Sequence, residues 1–75
     1  MDRFEAIRTL IALVDGGSLS VASKALRVPL PTVSRRVSDL EVFIGSQLVV
    51  RMTRKLLLTE SGIAFLASAR RALAN

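Results

Sequence analysis

The sequence contains no cysteine and no histidine. These absences exclude disulfides, zinc fingers and every catalytic arrangement built on a Cys/His or Ser/His pair. The chain also lacks a run of the ~20 apolar residues needed to cross a bilayer. Its first ten residues, MDRFEAIRTL, do not follow the basic-then-apolar order of a secretion signal. We therefore expect a cytoplasmic protein that uses no metal and no cofactor.

The chain is short, and half of it is apolar. Its 75 residues form one domain near the lower size limit for a core without disulfides or metals. Hydrophobic residues make up 51% of the sequence, which is more than so small a core can hide. We therefore expect a partner chain, most simply a second copy in a homodimer.

Positive charge is concentrated in the middle of the chain. Residues 24–55 hold seven of the eleven lysines and arginines but two of the six acidic residues. A localised basic surface on a small domain favours nucleic acid as a partner, because phosphates attract it whatever the base sequence. An anionic membrane surface and a merely solvated face are the alternatives.

Apolar periodicity predicts two helices in the first third of the chain. Residues 2–15 carry large apolar side chains at helical spacing: Phe4, Ile7, Leu10, Ile11 and Val14. The pair Gly16-Gly17 ends this helix. Ser18 or Ser20 then caps a second helix, whose core face is predicted to hold Ala22, Ala25 and Leu26 and which ends by Val28, before a proline.

The stretch VPLPTVSRRVSDLEVFIG predicts a third helix from Pro31 to Ile44. Proline is tolerated in a first helical turn, and Gly45 is a suitable C-cap. One apolar stripe predicts the core face: Val33, Val37, Leu40 and Ile44. The opposite face is predicted to hold Thr32, Arg35, Arg36 and Asp39. Both arginines are therefore expected to project outward from the N-terminal half of the helix.

The remaining chain predicts a hairpin and a fourth helix. Two short β-prone runs, Leu48 to Arg51 and Leu56 to Leu58, are joined by the basic segment Met52 to Lys55. Thr59 is a natural N-cap for a helix that continues toward Asn75. The predicted fold is mainly α: a winged helix-turn-helix with a three-helix core and a β-hairpin wing, followed by a linker helix.

This order of elements has a functional consequence. In a winged helix-turn-helix, the helix after the turn lies in the DNA major groove and the hairpin contacts the flanking backbone. Arginines in the first turns of that helix reach guanine O6 and N7 or phosphates. The sequence therefore predicts binding of double-stranded DNA.

Several motifs in order resemble the DNA-binding domain of LysR-type transcriptional regulators. They lie in LIALVDGGSLSVASKALRV, PTVSRRVSDLEVFIGSQLVVR and RMTRKLLLTESG, and they extend over essentially the whole chain. The resemblance implies a bacterial regulator whose residues 1–58 bind an operator and whose residues 59–75 form a linker helix that pairs two subunits. Family members continue into an effector-sensing domain, so we expect this chain to be an excised domain that meets a small-molecule effector through that missing part.

The resemblance also assigns site residues. By position, the DNA contacts of the family fall on Leu30, Pro31, Thr32, Ser34 and Arg35, with Arg51, Thr53 and Arg54 in the wing. We add Arg36 and Lys55 from charge and geometry. The family usually has Ser-Gln where this chain has Pro29-Leu30, so a side-chain cap and a glutamine able to bond adenine are both missing.

Some roles stay open at this point. On the fourth helix, Leu66, Ala69 and Leu73 suit packing on the first helix, pairing with a second chain, or both, and Ile63 is added to the predicted dimer surface. Arg51 could instead bond the body of the domain, and Ser34 could act as a local cap.

The sequence leaves two other function classes to consider, an enzyme and a protein-docking module. Ser20 and Lys24 lie four residues apart, as a serine nucleophile and a lysine base would on a helix. No oxyanion motif accompanies them, so we do not expect an enzyme. The alternative is a winged helix that docks on proteins and shows no preference among DNA sequences.

Overall fold

The computed structural model describes residues 2–51 and 56–74. Within these ranges the elements follow in this order: α1 (Arg3–Gly16), α2 (Leu19–Leu26), α3 (Leu30–Ile44), β1 (Val49–Arg51), β2 (Leu56–Leu58) and α4 (Glu60–Ala74). This order confirms the predicted three-helix core, hairpin and fourth helix. Boundaries differ from the sequence prediction by a residue or two. None of the described helices combines the length and the apolar character needed to span a membrane.

Helix α1 is closed at both ends by local hydrogen bonds. The Asp2 carboxylate accepts from the Glu5 amide at 3.2 Å, and Gly17 adopts φ 79° at the C-terminus. A left-handed conformation of this kind favours glycine, so the prediction that Gly16-Gly17 ends the helix is confirmed in substance.

The buried face of α1 overlaps the predicted apolar stripe: Leu10 is buried, and Ile7, Ile11 and Val14 pack against the core. Ala6, Leu10 and Leu13 are buried with Thr9, whereas Phe4 is exposed. The contacts of α1 with α2 and α3 also bury Ala6, Thr9 and Leu13, which the stripe of large side chains does not include. Thr9 is accommodated because its hydroxyl donates to the Glu5 carbonyl at 2.8 Å.

The turn between α2 and α3 is held by its own backbone and one side chain. Ser18 caps α2 by accepting from the Val21 amide at 3.1 Å, and Arg27 ends it at φ 57°. Ser23 and Val28 exchange two hydrogen bonds, hydroxyl to carbonyl at 2.6 Å and amide to carbonyl at 3.1 Å. This closed turn sets where α3 begins. Ala25, predicted in the core, is exposed because the single buried position of this short helix is Ala22.

Helix α3 begins at Leu30, one residue earlier than predicted, which places Pro31 at its second position. Val33, Val37 and Leu40 are buried as predicted, and Ile44 packs at the edge of the core. Gly45 ends the helix at φ 82°, and its amide donates to the Glu41 carbonyl at 2.8 Å.

The hairpin and α4 are joined through Leu48. Strands β1 and β2 are antiparallel, with Val49 opposite Leu58 and Arg51 opposite Leu56. The Leu48 carbonyl accepts from the Thr59 amide at 3.0 Å. At Gly62 a Cβ would lie 2.1 Å from that same oxygen, so only glycine lets α4 approach the base of the wing.

Candidate nucleic-acid interface

The start of α3 carries the residues predicted to read DNA. Leu30, Pro31 and Arg35 are exposed, and Thr32 and Ser34 are half-buried. We call these five residues the recognition face. The structure therefore brings together the α3 part of the predicted site.

The recognition face presents side chains more than backbone donors. Pro31 has no amide hydrogen, and the Thr32 and Val33 amides already donate to the Pro29 carbonyl at 3.0 and 3.4 Å. Pro29 occupies the N-cap position, where its ring has no acceptor for a side-chain cap. The groups that the start of α3 offers to a binding partner are therefore mainly the side chains of Leu30, Thr32, Ser34 and Arg35.

The two adjacent arginines point in different directions. Arg35 is exposed, but Arg36 is half-buried and forms an ion pair with Glu5 of α1. The prediction that both arginines project outward is wrong for Arg36, because successive helical residues are about 100° apart and this turn brings Arg36 against α1. Its role toward DNA remains a prediction.

Ser34 and Arg51 link the recognition face to the wing. The Arg51 guanidinium donates to the Ser34 hydroxyl, although the two residues lie on different elements. The alternative in which Arg51 bonds the body of the domain is therefore realised in this structure. The other predicted wing contacts, Thr53, Arg54 and Lys55, lie outside the described residues.

Glu41 was not identified as a site residue from the sequence. Its carboxylate accepts from the Leu48 amide at 2.7 Å and from the Val49 amide at 3.2 Å, where β1 begins. Glu41 lies in the stretch PTVSRRVSDLEVFIGSQLVVR, which resembles the family, but the resemblance assigns it no contact. A glutamate on a polar helix position has no sequence signal that reveals which amides it will accept from.

The predicted dimer residues of α4 divide into two pairs. Leu66 and Ala69 are each 6% exposed, so they pack inside the subunit. Ile63 is 58% exposed and Leu73 is 39% exposed. The Arg70 guanidinium also contacts the Asp15 carboxylate on α1 at 2.7 Å. The surface of α4 that is available for a second chain therefore includes Ile63 and Leu73, but not Leu66 or Ala69.

Most of the described basic residues in the middle of the chain are exposed. Four basic side chains are exposed across α2, its C-cap, α3 and β1: Lys24, Arg27, Arg35 and Arg51. Among the described residues there is no cluster of three or more acidic side chains that could hold a metal ion. The arrangement is suited to binding an extended anion.

Known proteins resemble this chain in sequence. The family model of bacterial regulatory helix-turn-helix proteins of the lysR family matches residues 4–63. An HTH-type transcriptional repressor of Pseudomonas aeruginosa is 46% identical over 65 residues, which cover 87% of this chain and 20% of that protein. The HTH-type transcriptional regulator TcbR of a Pseudomonas species is 37% identical over 70 residues, covering 93% and 24%. The chain thus spans a fifth to a quarter of the length of these relatives.

Solved structures resemble it in fold as well. The complex of the CbnR DNA-binding domain with DNA has a TM-score of 0.91 and 36% identity, over 99% of this chain and 84% of that one. The complex of the BenM DNA-binding domain with a catB site has a TM-score of 0.91 and 31% identity, over 100% and 83%. With the family model matching most of its length, this chain belongs to the LysR family of bacterial regulatory helix-turn-helix proteins.

Proposed function

We propose that this chain is the sequence-specific DNA-binding unit of a bacterial LysR-type transcriptional regulator. One observation carries the proposal: the outer side of the N-terminal half of α3 exposes Leu30, Pro31 and Arg35. A helix presented in this way fits the major groove. The resemblance to two DNA-binding domains solved with DNA supports this assignment.

Each residue of the recognition face has a chemical role in this proposal. Arg35 donates to guanine O6 and N7, and Leu30 offers apolar contact, for instance to a thymine methyl. The hydroxyls of Thr32 and Ser34 donate to bases or phosphates, and Pro31 packs against the backbone.

The remaining basic residues bind phosphates. Arg51, Thr53, Arg54 and Lys55 contact the backbone flanking the groove, and Arg36 adds a phosphate contact when it is released from Glu5. These contacts supply affinity without reading sequence. The protein acts by occupying an operator, and no residue is assigned a catalytic role.

The proposed assembly is a homodimer formed through α4 in the bacterial cytoplasm. Two subunits related by a two-fold axis would place two copies of α3 on a two-fold-related operator. Ile63 and Leu73 are the exposed apolar residues of α4 that support this pairing.

Fluorescence anisotropy against a duplex recovered from a random-site selection, and against a scrambled duplex, tests the function. The selected duplex is expected to bind more tightly, with log K falling by about 0.9 per phosphate neutralised for each decade of salt. Arg35→Ala is expected to remove most of the preference, because a bidentate arginine–guanine contact contributes roughly 1–3 kcal/mol of discrimination. Arg54→Ala is expected mainly to flatten the salt dependence.

Arg8→Ala is the matched control, since it removes the same charge from an exposed position on α1. It is expected to keep the preference for the selected duplex. If no duplex binds more tightly than the scrambled one, the cause is either weak pairing of the subunits or a protein-docking function. Fusing a coiled coil that forces dimerisation distinguishes these two causes. Absence of preference in the forced dimer would contradict the proposal.

A further inference from the structure

Two hydrogen-bonded links join the recognition helix to the wing. Near the end of α3, the Glu41 carboxylate accepts from the Leu48 and Val49 amides. Near its start, the Ser34 hydroxyl accepts from the Arg51 guanidinium. Ser34 and Glu41 are seven residues apart, which is about two helical turns and ~10 Å along the axis. The two or three residues between the β1 anchors span about 7–10 Å, so β1 lies alongside α3 with Arg51 next to the DNA-reading end.

The wing needs such links because it is small. Each strand has three residues, and a two-stranded hairpin of this size is marginal in water by itself. Leu48 and Val49 are buried, and Leu56 and Leu58 pack against the core, so apolar contacts hold the inner face of the hairpin. The Glu41 and Ser34 hydrogen bonds add polar links from α3 to the start and the end of β1.

We propose that Glu41 and Ser34 are positioning residues for DNA binding, which hold the wing so that the Arg51 guanidinium meets a backbone phosphate beside the recognition face. The inference rests on the proposed function. Ser34 accepts from Arg51 and so keeps its own proton to donate, and accepting from a cation strengthens it as a donor. The hydroxyl and the guanidinium together suit one phosphate oxygen.

The negative charge of Glu41 and its hydrogen bonds to the wing are expected to have opposite effects on DNA affinity. A carboxylate near a phosphate-binding surface weakens DNA binding by repulsion, whereas a carboxylate that orients the wing strengthens it. Removing the charge while keeping an acceptor oxygen therefore gives a different result from removing both.

The test compares Glu41→Gln and Glu41→Ala by fluorescence anisotropy on the selected duplex over a salt series. Glu41→Gln is expected to bind as tightly as the parent or more tightly. Glu41→Ala is expected to bind on the order of tenfold more weakly, as for the loss of one charge-assisted hydrogen bond. Its salt slope is expected to be shallower by about 0.9, the value of one lost phosphate contact, with the preference over the scrambled duplex retained.

Glu60→Ala is the matched control, because Glu60 is an exposed acid in the first turn of α4. It is expected to leave the salt slope unchanged. The positioning role is overturned if Glu41→Ala binds as tightly as Glu41→Gln with the parental slope.

A second set of variants changes the hydrogen bond between Ser34 and Arg51, which is exposed. Ser34→Ala is expected to give the same shallower salt slope, and Ser34→Thr is expected to restore the parental slope. The double variant of Ser34→Ala with Arg51→Ala is expected to lose less binding free energy than the sum of the losses in the two single variants. Circular dichroism melts show which variants are folded at the assay temperature. If Glu41→Ala is unfolded there, the serine variants decide, and additive losses overturn the inference. A parent that does not prefer the selected duplex contradicts the proposed function instead.

Discussion

Neighbouring residues on one helix have different roles in this protein, as the two arginines of α3 show. Arg35 is exposed, whereas Arg36 is held by Glu5 from another helix. The ion pair is partly solvated, so it stabilises the fold by less than about 1 kcal/mol. Its larger effect is that Arg35, and not Arg36, projects from the surface of α3.

Releasing Arg36 is expected to strengthen DNA binding. Glu5→Gln removes the partner charge and, at low salt, should raise affinity roughly threefold for both selected and scrambled duplexes, since an added phosphate contact carries no sequence information. Anisotropy over a salt series measures this. Glu60→Gln removes the same charge from an exposed position on α4. An equal gain in both variants would show that net charge, and not Arg36, is responsible.

Leu30 is expected to determine part of the base preference. It is exposed at the first position of α3, and an apolar side chain cannot bond the N6 and N7 atoms of adenine as glutamine can. Site selection with Leu30→Gln should therefore recover a different base at one position of each half-site. Val42→Gln makes the same change at a residue of α3 that is 81% exposed, and it should recover the parental sites. Identical sites for Leu30→Gln and the parent would refute this prediction.

At the scale of the elements, local sequence signals predicted the order of the helices and strands, but they did not predict the buried side of every helix. Ser18 marks a helix end through its side-chain cap, and the prolines and Gly45 do so through their backbone conformation, so those ends were predictable. The core face of α1 was predictable only in part, because it depends on which helix lies opposite. The stripe of large side chains includes Phe4, which is exposed, and omits Ala6, which is buried in the contact with α2 and α3.

The packing of α4 against the wing is expected to depend on Gly62. A methyl group there would lie 2.1 Å from the Leu48 carbonyl oxygen, which is backbone and cannot rotate away. Gly62→Ala should lower the free energy of unfolding by at least about 2 kcal/mol, in the range of overpacked cores. Urea unfolding followed by circular dichroism measures the change. Ser61→Ala, one residue earlier and exposed, should change it by less than about 0.5 kcal/mol, and equal losses would contradict the explanation.

At the scale of the whole molecule, the apolar content exceeds what one subunit buries. Among the described residues the exposed large hydrophobic side chains are Phe4, Val21, Leu30, Val42, Phe43, Val50, Leu57, Ile63 and Leu73. This agrees with the expectation from composition that the core cannot hide all apolar residues. Pairing through α4 would cover two of them.

Charged substitutions on α4 are expected to separate pairing from folding. Ile63→Glu and Leu73→Glu should shift sedimentation toward monomer and weaken binding to a duplex with two half-sites by about tenfold, with little effect on a single half-site. Val42→Glu, on α3, is the control for an exposed apolar residue and should keep the dimer. Leu66→Glu should instead unfold the domain, because that side chain is 6% exposed. Unchanged sedimentation of both α4 variants would refute pairing through this face.

The sequence by itself determined the order of the elements and the basic middle of the chain, because caps, helical periodicity and charge act over a few neighbouring residues. The residues of the recognition face followed from the family resemblance, by position. Only the tertiary structure decided that Arg36 faces Glu5, that Ser34 meets Arg51 and that Glu41 holds the start of the wing. Each of these contacts joins residues on different elements, and no local pattern encodes which side chain a distant segment will approach. The placement of β1 against α3 is therefore a property of the folded chain.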